Sequence, residues 1–185
     1  MRKAIRGFLM IFFAYLLQVT AVPDMAVFGV SPNLLISVIA ISTVAYSRKA
    51  AFCLAAMTGI LTETMIPGMP GISIVLYPAL GFVGSVIFSD KSERKIEEEI
   101  ASGKPGKNKN PLLRTLLCAA GIAFVFQVIY VAYAYLVSMD ITVNLVLLSL
   151  FDVGYTTVLT LVIMIPLRYA LGLHRRAKKV KPQES

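Results

Sequence analysis

The sequence has no tryptophan, one histidine and two cysteines, and only 15% of its 185 residues are charged. Its histidine, His174, stands in a basic tail far from Cys53 and Cys118, so no Cys and His set has the spacing of a metal site. No glycine-rich loop matches a nucleotide-binding fingerprint, and no nucleophile has a base beside it. We therefore expect a protein that is not an enzyme and holds no cofactor. Both cysteines stand among apolar residues and are expected to be buried.

The sequence is rich in apolar residues. They make up 57% of the chain, and the mean hydropathy is +0.77. A soluble domain needs more charge to cover its surface, so the composition indicates an integral membrane protein. Because about 20 apolar residues cross a bilayer as a helix, we predict an all-α, single-domain bundle of six transmembrane helices. Their predicted ranges are 5–22, 31–47, 50–66, 71–88, 112–138 and 143–170.

The basic residues predict the orientation of these helices. All 18 Lys and Arg residues stand before the first helix, between the second and third, between the fourth and fifth, or around the end of the last. The opposite gaps, 23–30, 67–70 and 139–142, contain no Lys or Arg but include Asp24 and Asp140. By the positive-inside rule, both termini of this multi-pass protein are predicted to be cytoplasmic.

Two charged segments lie on the predicted cytoplasmic side. The basic tail 172–185 directly follows a helix, so it is expected to attract anionic lipid headgroups rather than nucleic acid, with a docked protein as the alternative. The loop 89–111 has opposite charges at four-residue spacing, followed by a stretch rich in Gly, Pro, Lys and Asn. We interpret it as a solvated helix with a tether, or else as a docking site for a cytoplasmic partner.

The amino terminus permits two readings. Its basic start, apolar run and small residue Ala21 resemble a signal peptide with its cleavage site. The apolar run is long for such a peptide and carries Tyr15 and Gln18, so we expect it to be retained as the first span.

Several residues are expected to shape the helices and their ends. Ser31 is predicted to cap the second helix, with Pro32 in its first turn. Prolines inside the fourth and last helices are expected to bend them; they are Pro78 and Pro166. Tyrosines near run ends are expected at the membrane interface; they are Tyr15, Tyr46, Tyr77, Tyr135 and Tyr169.

Two carboxylates stand inside predicted spans. Glu63 lies about 20 Å along the third helix, in the outer third of the hydrocarbon core, and Asp152 lies about 15 Å into the last helix, near the midplane. Such groups face the bundle interior, where Asp152 has hydroxyls available at three- and four-residue spacing, on Ser149, Tyr155 and Thr156. Asp152 is either an ion or proton site or a polar tie between helices, and we favour the tie.

Small residues recur every four positions in the third helix. Ala51, Ala55 and Gly59 form a stripe that lets another helix approach closely, and Glu63 ends it. Glu63 is therefore expected to fix a corner of the bundle near the outer surface.

Two stretches carry a resemblance to a known family. The order "LLQVTAVPDMAVFGVSPNLLI", a short basic turn, then "GILTETMIPGMPGISIVLYPALG" resembles the MreD family of the bacterial rod-shape system. The resemblance covers 16–88. The positions that match the family pattern are Gln18, Gly29, Pro32, Leu34, Gly59 and Gly71. Asn33 and Glu63 stand where the family has aspartate, and the loop 89–111 is longer than expected.

The resemblance implies a non-enzymatic component of the cell-wall elongation machinery in the bacterial cytoplasmic membrane. Such a protein binds the bitopic protein MreC and works beside MreB, RodA and a penicillin-binding transpeptidase. The family is also similar in fold to the substrate-binding subunits of energy-coupling-factor transporters for vitamins or metals. Transport is therefore the alternative function, although a shared fold does not carry a function with it.

Overall fold

The protein is a bundle of helices, described here from a computed structural model. The structure describes residues 2–65, 71–88, 98, 101–102, 110–137 and 142–170. Regular structure in these ranges is helical, apart from one isolated antiparallel bridge between Val27 and Val30, so the expected all-α class is confirmed. The helices are α1 (Arg2–Thr20), α2 (Leu34–Ala45), α3 (Arg48–Met65), α4 (Ile72–Phe88), α5 (Pro111–Leu136) and α6 (Val143–Ala170), with a 3₁₀ turn at Pro23–Met25.

Several predictions concern segments outside the described residues. They are the gap 67–70, most of the gap 139–142, most of the loop 89–111, and the tail 172–185 with His174.

Within the described residues, two helices are long and apolar enough to cross a membrane. They are Leu112–Leu136 in α5 and Val143–Leu167 in α6, each of 25 residues. Only 28% and 17% of their most apolar windows are buried inside the bundle, whereas the core helix of a soluble protein would be mostly buried. Shorter apolar stretches lie in α1, α2 and α4. This pattern supports a location in a membrane.

Helix α2 is the centre of the bundle. Every residue from Leu34 to Val44 is buried, and α2 contacts each of the other five helices. A helix that is apolar on all sides belongs in a core, and this one is only 12 residues long. The hydroxyls of Ser42 and Thr43 donate to carbonyls of their own helix, so their burial leaves no donor unpaired.

Helices α3 and α4 approach closely through small residues. Ala51 and Ala55 are fully buried, and a Cβ added at Gly59 would lie 2.6 Å from the carbonyl oxygen of Ser73 in α4. From the other side, a Cβ added at Gly81 would lie 2.5 Å from the Cβ of Ala55. The small-residue stripe of α3 is therefore a packing face, and its partner is α4.

The prediction for the start of α2 is wrong. The cap is Asn33, which has an extended backbone (φ −94°, ψ 95°) and accepts from the backbone N–H of Ile36, whereas Ser31 is exposed. A residue that precedes proline is disfavoured in the helical region, so Pro32 keeps Ser31 outside the helix. The helix begins at Leu34, three residues later than predicted.

The connection between α1 and α2 contains a tight turn with an unusual backbone conformation. Val27 and Val30 exchange two backbone hydrogen bonds of 3.0 Å, and the two residues between them have positive φ, 54° at Phe28 and 80° at Gly29. Turns of this kind favour Asn-Gly, because a bulky side chain costs roughly 1–2 kcal/mol in the left-handed region. Phe28 is also 82% exposed.

Burial differs from the sequence expectation at three positions. Cys53 is exposed, whereas Cys118 is buried, with its sulfur 3.2 Å from the hydroxyl of Thr43. Tyr15 and Tyr77, expected at the interface, are only 4% and 1% exposed. The helical positions of both tyrosines face the core around α2, and this placement outweighs the interfacial preference of the ring.

Replacing Gly59 by Ala tests the contact between α3 and α4. The added methyl group would meet the backbone of Ser73, and we expect the free energy of unfolding to fall by about 1–3 kcal/mol. The control is Gly121→Ala in α5, where no atom lies within 4 Å of the added Cβ and the better helix propensity stabilises by up to about 1 kcal/mol. Thermal loss of helical circular dichroism in detergent measures both; equal stability of the two variants would contradict the contact.

Candidate functional site

The first turn of α2 is buried, since Leu34, Leu35 and Ile36 are 4%, 1% and 1% exposed, so its free backbone N–H groups depend mainly on protein acceptors. Asn33 supplies one acceptor, since its Oδ1 lies 3.1 Å from the N–H of Ile36. Pro32 has no N–H and so adds no donor to the set. The N–H groups of Asn33 and Leu34 are accepted by side chains of two other helices.

Gln18 joins the end of α1 to the start of α2. Its Oε1 accepts from the N–H of Leu34 at 2.7 Å, and its Nε2 donates to the carbonyl oxygen of Pro32 at 3.4 Å. One side chain thus satisfies a donor and an acceptor of the same backbone segment. Gln18 fixes how the chain enters α2.

Thr156 joins the same end to α6 and to Asp152. The backbone N–H of Asn33 donates to Thr156 Oγ1 at 2.9 Å, and this hydroxyl donates to Asp152 Oδ1 at 3.3 Å. Gln127 of α5 donates through Nε2 to Asp152 Oδ2. A chain of hydrogen bonds therefore runs from the start of α2 to the Asp152 carboxyl group, which accepts from both Thr156 and Gln127.

Tyr77 closes the cluster from α4. Its hydroxyl accepts from Asn33 Nδ2 at 3.2 Å and is also hydrogen-bonded to the Thr62 side chain of α3. Its ring packs on Phe126 of α5 with centroids 5.6 Å apart. Every other helix thus reaches the start of α2, directly or through one intermediate side chain.

A second contact lies one turn further along α2. The hydroxyls of Ser37 and Thr160 are 2.8 Å apart in the buried interior, and Thr160 donates to the carbonyl oxygen of Thr156. Together, Thr156 and Thr160 form a hydroxyl-bearing face of α6 that follows α2 for one turn. This face fixes the axial register of α6 against α2.

The structure brings together four of the seven residues singled out from the sequence. Gln18, Pro32, Asn33 and Asp152 belong to this cluster, although the first and last are far apart in the chain. The other three residues lie along α3 and its turn into α4. They are Gly59, Glu63 and Gly71.

Glu63 holds the turn between α3 and α4. Its Oε1 accepts from the N–H of Gly71, whose positive φ of 80° suits glycine. Its other oxygen is buried and has no hydrogen-bond partner among the residues that the structure describes. Glu63 therefore acts at a corner separate from the α2 cluster.

Sequence reasoning missed Tyr77 and Gln127 as members of the cluster. Tyr77 was assigned to the interface, and Gln127 was overlooked, although a lone amide inside an apolar run is a signal for a buried polar contact. Of the hydroxyls expected beside Asp152, Thr156 does contact the carboxylate. Tyr155 instead donates to the carbonyl oxygen of Met25 at 2.8 Å.

The cluster consists of amides, hydroxyls and one carboxylate. Within the described part of the chain, no three His, Cys, Asp or Glu residues gather in a way that could hold a metal ion. The carboxylate acts as an acceptor that terminates a chain of donors. The hydrogen bonds of this cluster tie the other helices to the start of α2.

Substitutions of Asn33 and Ser31 test which of the two residues caps α2. Asn33→Ala leaves the buried N–H of Ile36 unpaired, and we expect the free energy of unfolding to fall by about 1–3 kcal/mol. Ser31→Ala should change it by less than about 0.5 kcal/mol, because Ser31 is exposed. Thermal unfolding in detergent compares the two; a larger loss for Ser31→Ala would restore the predicted cap.

Substitutions of Glu63 test the second corner. Glu63→Gln keeps a carbonyl oxygen for the N–H of Gly71, so the free energy of unfolding should stay within about 0.5 kcal/mol of the wild type. Glu63→Leu removes the acceptor and should cost about 1 kcal/mol. The same melting experiment distinguishes them, and a large loss for the glutamine variant would mean that the negative charge itself is needed.

The sequence and fold were compared with known proteins. No family model, no curated protein and no solved structure matches this chain.

Proposed function

We propose that the protein is a non-enzymatic scaffold of the bacterial cell-wall elongation machinery, of the MreD kind. The observation that carries the proposal is that motif residues behind the resemblance work together. Gln18, Pro32 and Leu34 share hydrogen bonds at the start of α2, and Asn33 caps it. A set of residues with one joint structural task is stronger support for the resemblance than matches scattered through the chain.

The same proposal includes six membrane spans with both termini in the cytoplasm. It is supported by the two long apolar helices and by the absence of Lys and Arg from 23–30, 67–70 and 139–142. In this orientation Arg48 lies just beyond the cytoplasmic end of α2, which is about 18 Å long. Asp152, level with the start of α2, then lies in the outer third of the core rather than near the midplane.

A scaffold needs a fixed shape and surfaces for partners. The shape comes from α2 and its ties, and the contacts of Asp152 with Gln127 and Thr156 favour a tie over an ion-coupling site. Broad apolar surface remains on α5 and α6, open to lipid or to the membrane helix of a partner. The partner in this proposal is MreC, and through it MreB, RodA and a penicillin-binding transpeptidase. The basic tail binds anionic lipid.

The alternative is a substrate-binding subunit of an energy-coupling-factor transporter. It is favoured by the partial exposure of Asn33, Gln127 and Asp152 at the outer end of the bundle, where they could line a small-molecule site. The close contact of α3 and α4 through Gly59 opposes a cavity between those two helices.

Co-purification from membranes tests the proposal. We expect the tagged protein to retain MreC after extraction in mild detergent, at a level comparable to that of a known interacting pair. Absence of MreC in a preparation where that known pair survives would contradict the scaffold function. Native mass spectrometry of the same sample tests the alternative, which requires a retained small molecule.

A further inference from the structure

The turn between α1 and α2 presents an aromatic side chain outward. All residues from Pro23 to Gly29 are exposed, and Phe28 at the tip is 82% exposed. The hydroxyl of Tyr155 holds the turn by donating to the carbonyl oxygen of Met25, and the ring of Phe28 meets the edge of Phe151 with centroids 6.0 Å apart. The tip is thus supported on one side by α6 and open on the other.

The choice of phenylalanine is not explained by the folding of this turn. Both central residues have positive φ, and Asn-Gly forms such turns with less strain than Phe-Gly. Exposure of the ring to water adds a second unfavourable contribution. One edge contact with Phe151 leaves most of the ring uncovered. Local strain retained at an exposed site points to a function outside the chain.

The surroundings of the tip favour a polypeptide over lipid. The turn is not helical, and hydrocarbon cannot satisfy the hydrogen bonds of irregular backbone. A segment of this kind lies outside the hydrocarbon, against water, lipid headgroups or another protein. A binding pocket in a partner protein can cover the ring and also offer hydrogen bonds to the backbone.

Charge indicates the chemistry of that partner. Asp24 lies exposed on the turn itself. No Lys or Arg stands in the segments 23–30, 67–70 or 139–142 that share this side of the bundle in the proposed orientation. The exposed carboxylate of Asp24 beside the tip therefore favours a partner with positive charge.

We propose that the turn formed by residues 22–31 is the docking point for the extracytoplasmic part of the protein's partner. The contacting segment of the partner combines an apolar pocket for the ring of Phe28 with a Lys or Arg facing Asp24. This inference rests on the proposed scaffold function, and it adds the face of this chain that makes the contact.

The variant Phe28→Asn separates binding from folding. Asparagine is favoured where φ is positive, so the thermal midpoint in detergent should stay equal or rise, while the amount of co-purified MreC should fall at least tenfold. Asp24→Lys should lower it as well by reversing the charge. The control is Phe13→Ala, which removes a 61% exposed ring from α1 and should retain the partner. If Phe28→Asn co-purifies as much MreC as the wild type, the docking point is overturned, whereas the scaffold function is not.

A photo-crosslinking amino acid, p-benzoylphenylalanine, placed at position 28 identifies the occupant directly. In irradiated membranes we expect a polypeptide adduct whose mapped peptide carries Lys or Arg beside apolar residues. An adduct with lipid alone, with a second copy of this chain, with a peptide lacking basic residues, or no adduct would each overturn the inference. If the wild-type protein does not co-purify MreC but the expected adduct forms, the docking point stands and only the identity of the partner is refuted.

Discussion

The buried amino terminus of α2 is the constraint on which the rest of the structure depends. A helix leaves its first N–H groups without partners inside the helix, and burial removes water as the usual partner. Each unpaired buried group costs about 1–3 kcal/mol, which is a large fraction of the stability of a protein. Gln18, Asn33 and Thr156 accept these donors from three different parts of the chain. Satisfying one helix end thus determines where its neighbours lie.

This constraint explains why polar residues interrupt otherwise apolar helices. Thr156 can accept from Asn33 because its own proton is directed to Asp152, and Asp152 in turn takes a donor from Gln127. The Tyr77 hydroxyl accepts a hydrogen bond from the side-chain amide of Asn33. The carboxyl group of Asp152 is the final acceptor in this network. A polar cluster inside a helical bundle can therefore be structural while containing an ionisable group.

The remaining contacts either hold the helices together or support the exposed turn before α2. Helices α3 and α4 pack through small residues, because Gly59 and Gly81 bring their backbones close enough for dispersion to hold them. Tyr77 adds a hydrogen bond to Thr62. At the outer corner, Glu63 holds the turn through Gly71. The turn before α2 differs from both, since Phe28 is supported by α6 yet left open. A bundle with fixed corners and one open aromatic tip fits a protein whose work is to position others.

The sequence by itself determined the helical class, the apolar character, the small-residue face of α3 and the position of Asp152 inside an apolar run, because these follow from composition and local spacing. Gln18 and Asn33 were singled out by the resemblance to the MreD family. It did not determine the cap of α2, where Ser31 and Asn33 are both acceptable residues and only the backbone around Pro32 decides between them. Nor did it determine the burial of Tyr77 or the meeting of Gln127 with Asp152, 25 residues apart. Those contacts depend on which faces of α4, α5 and α6 turn toward α2. That choice belongs to the tertiary structure, because a buried helix end draws its hydrogen-bond partners from whichever helices surround it.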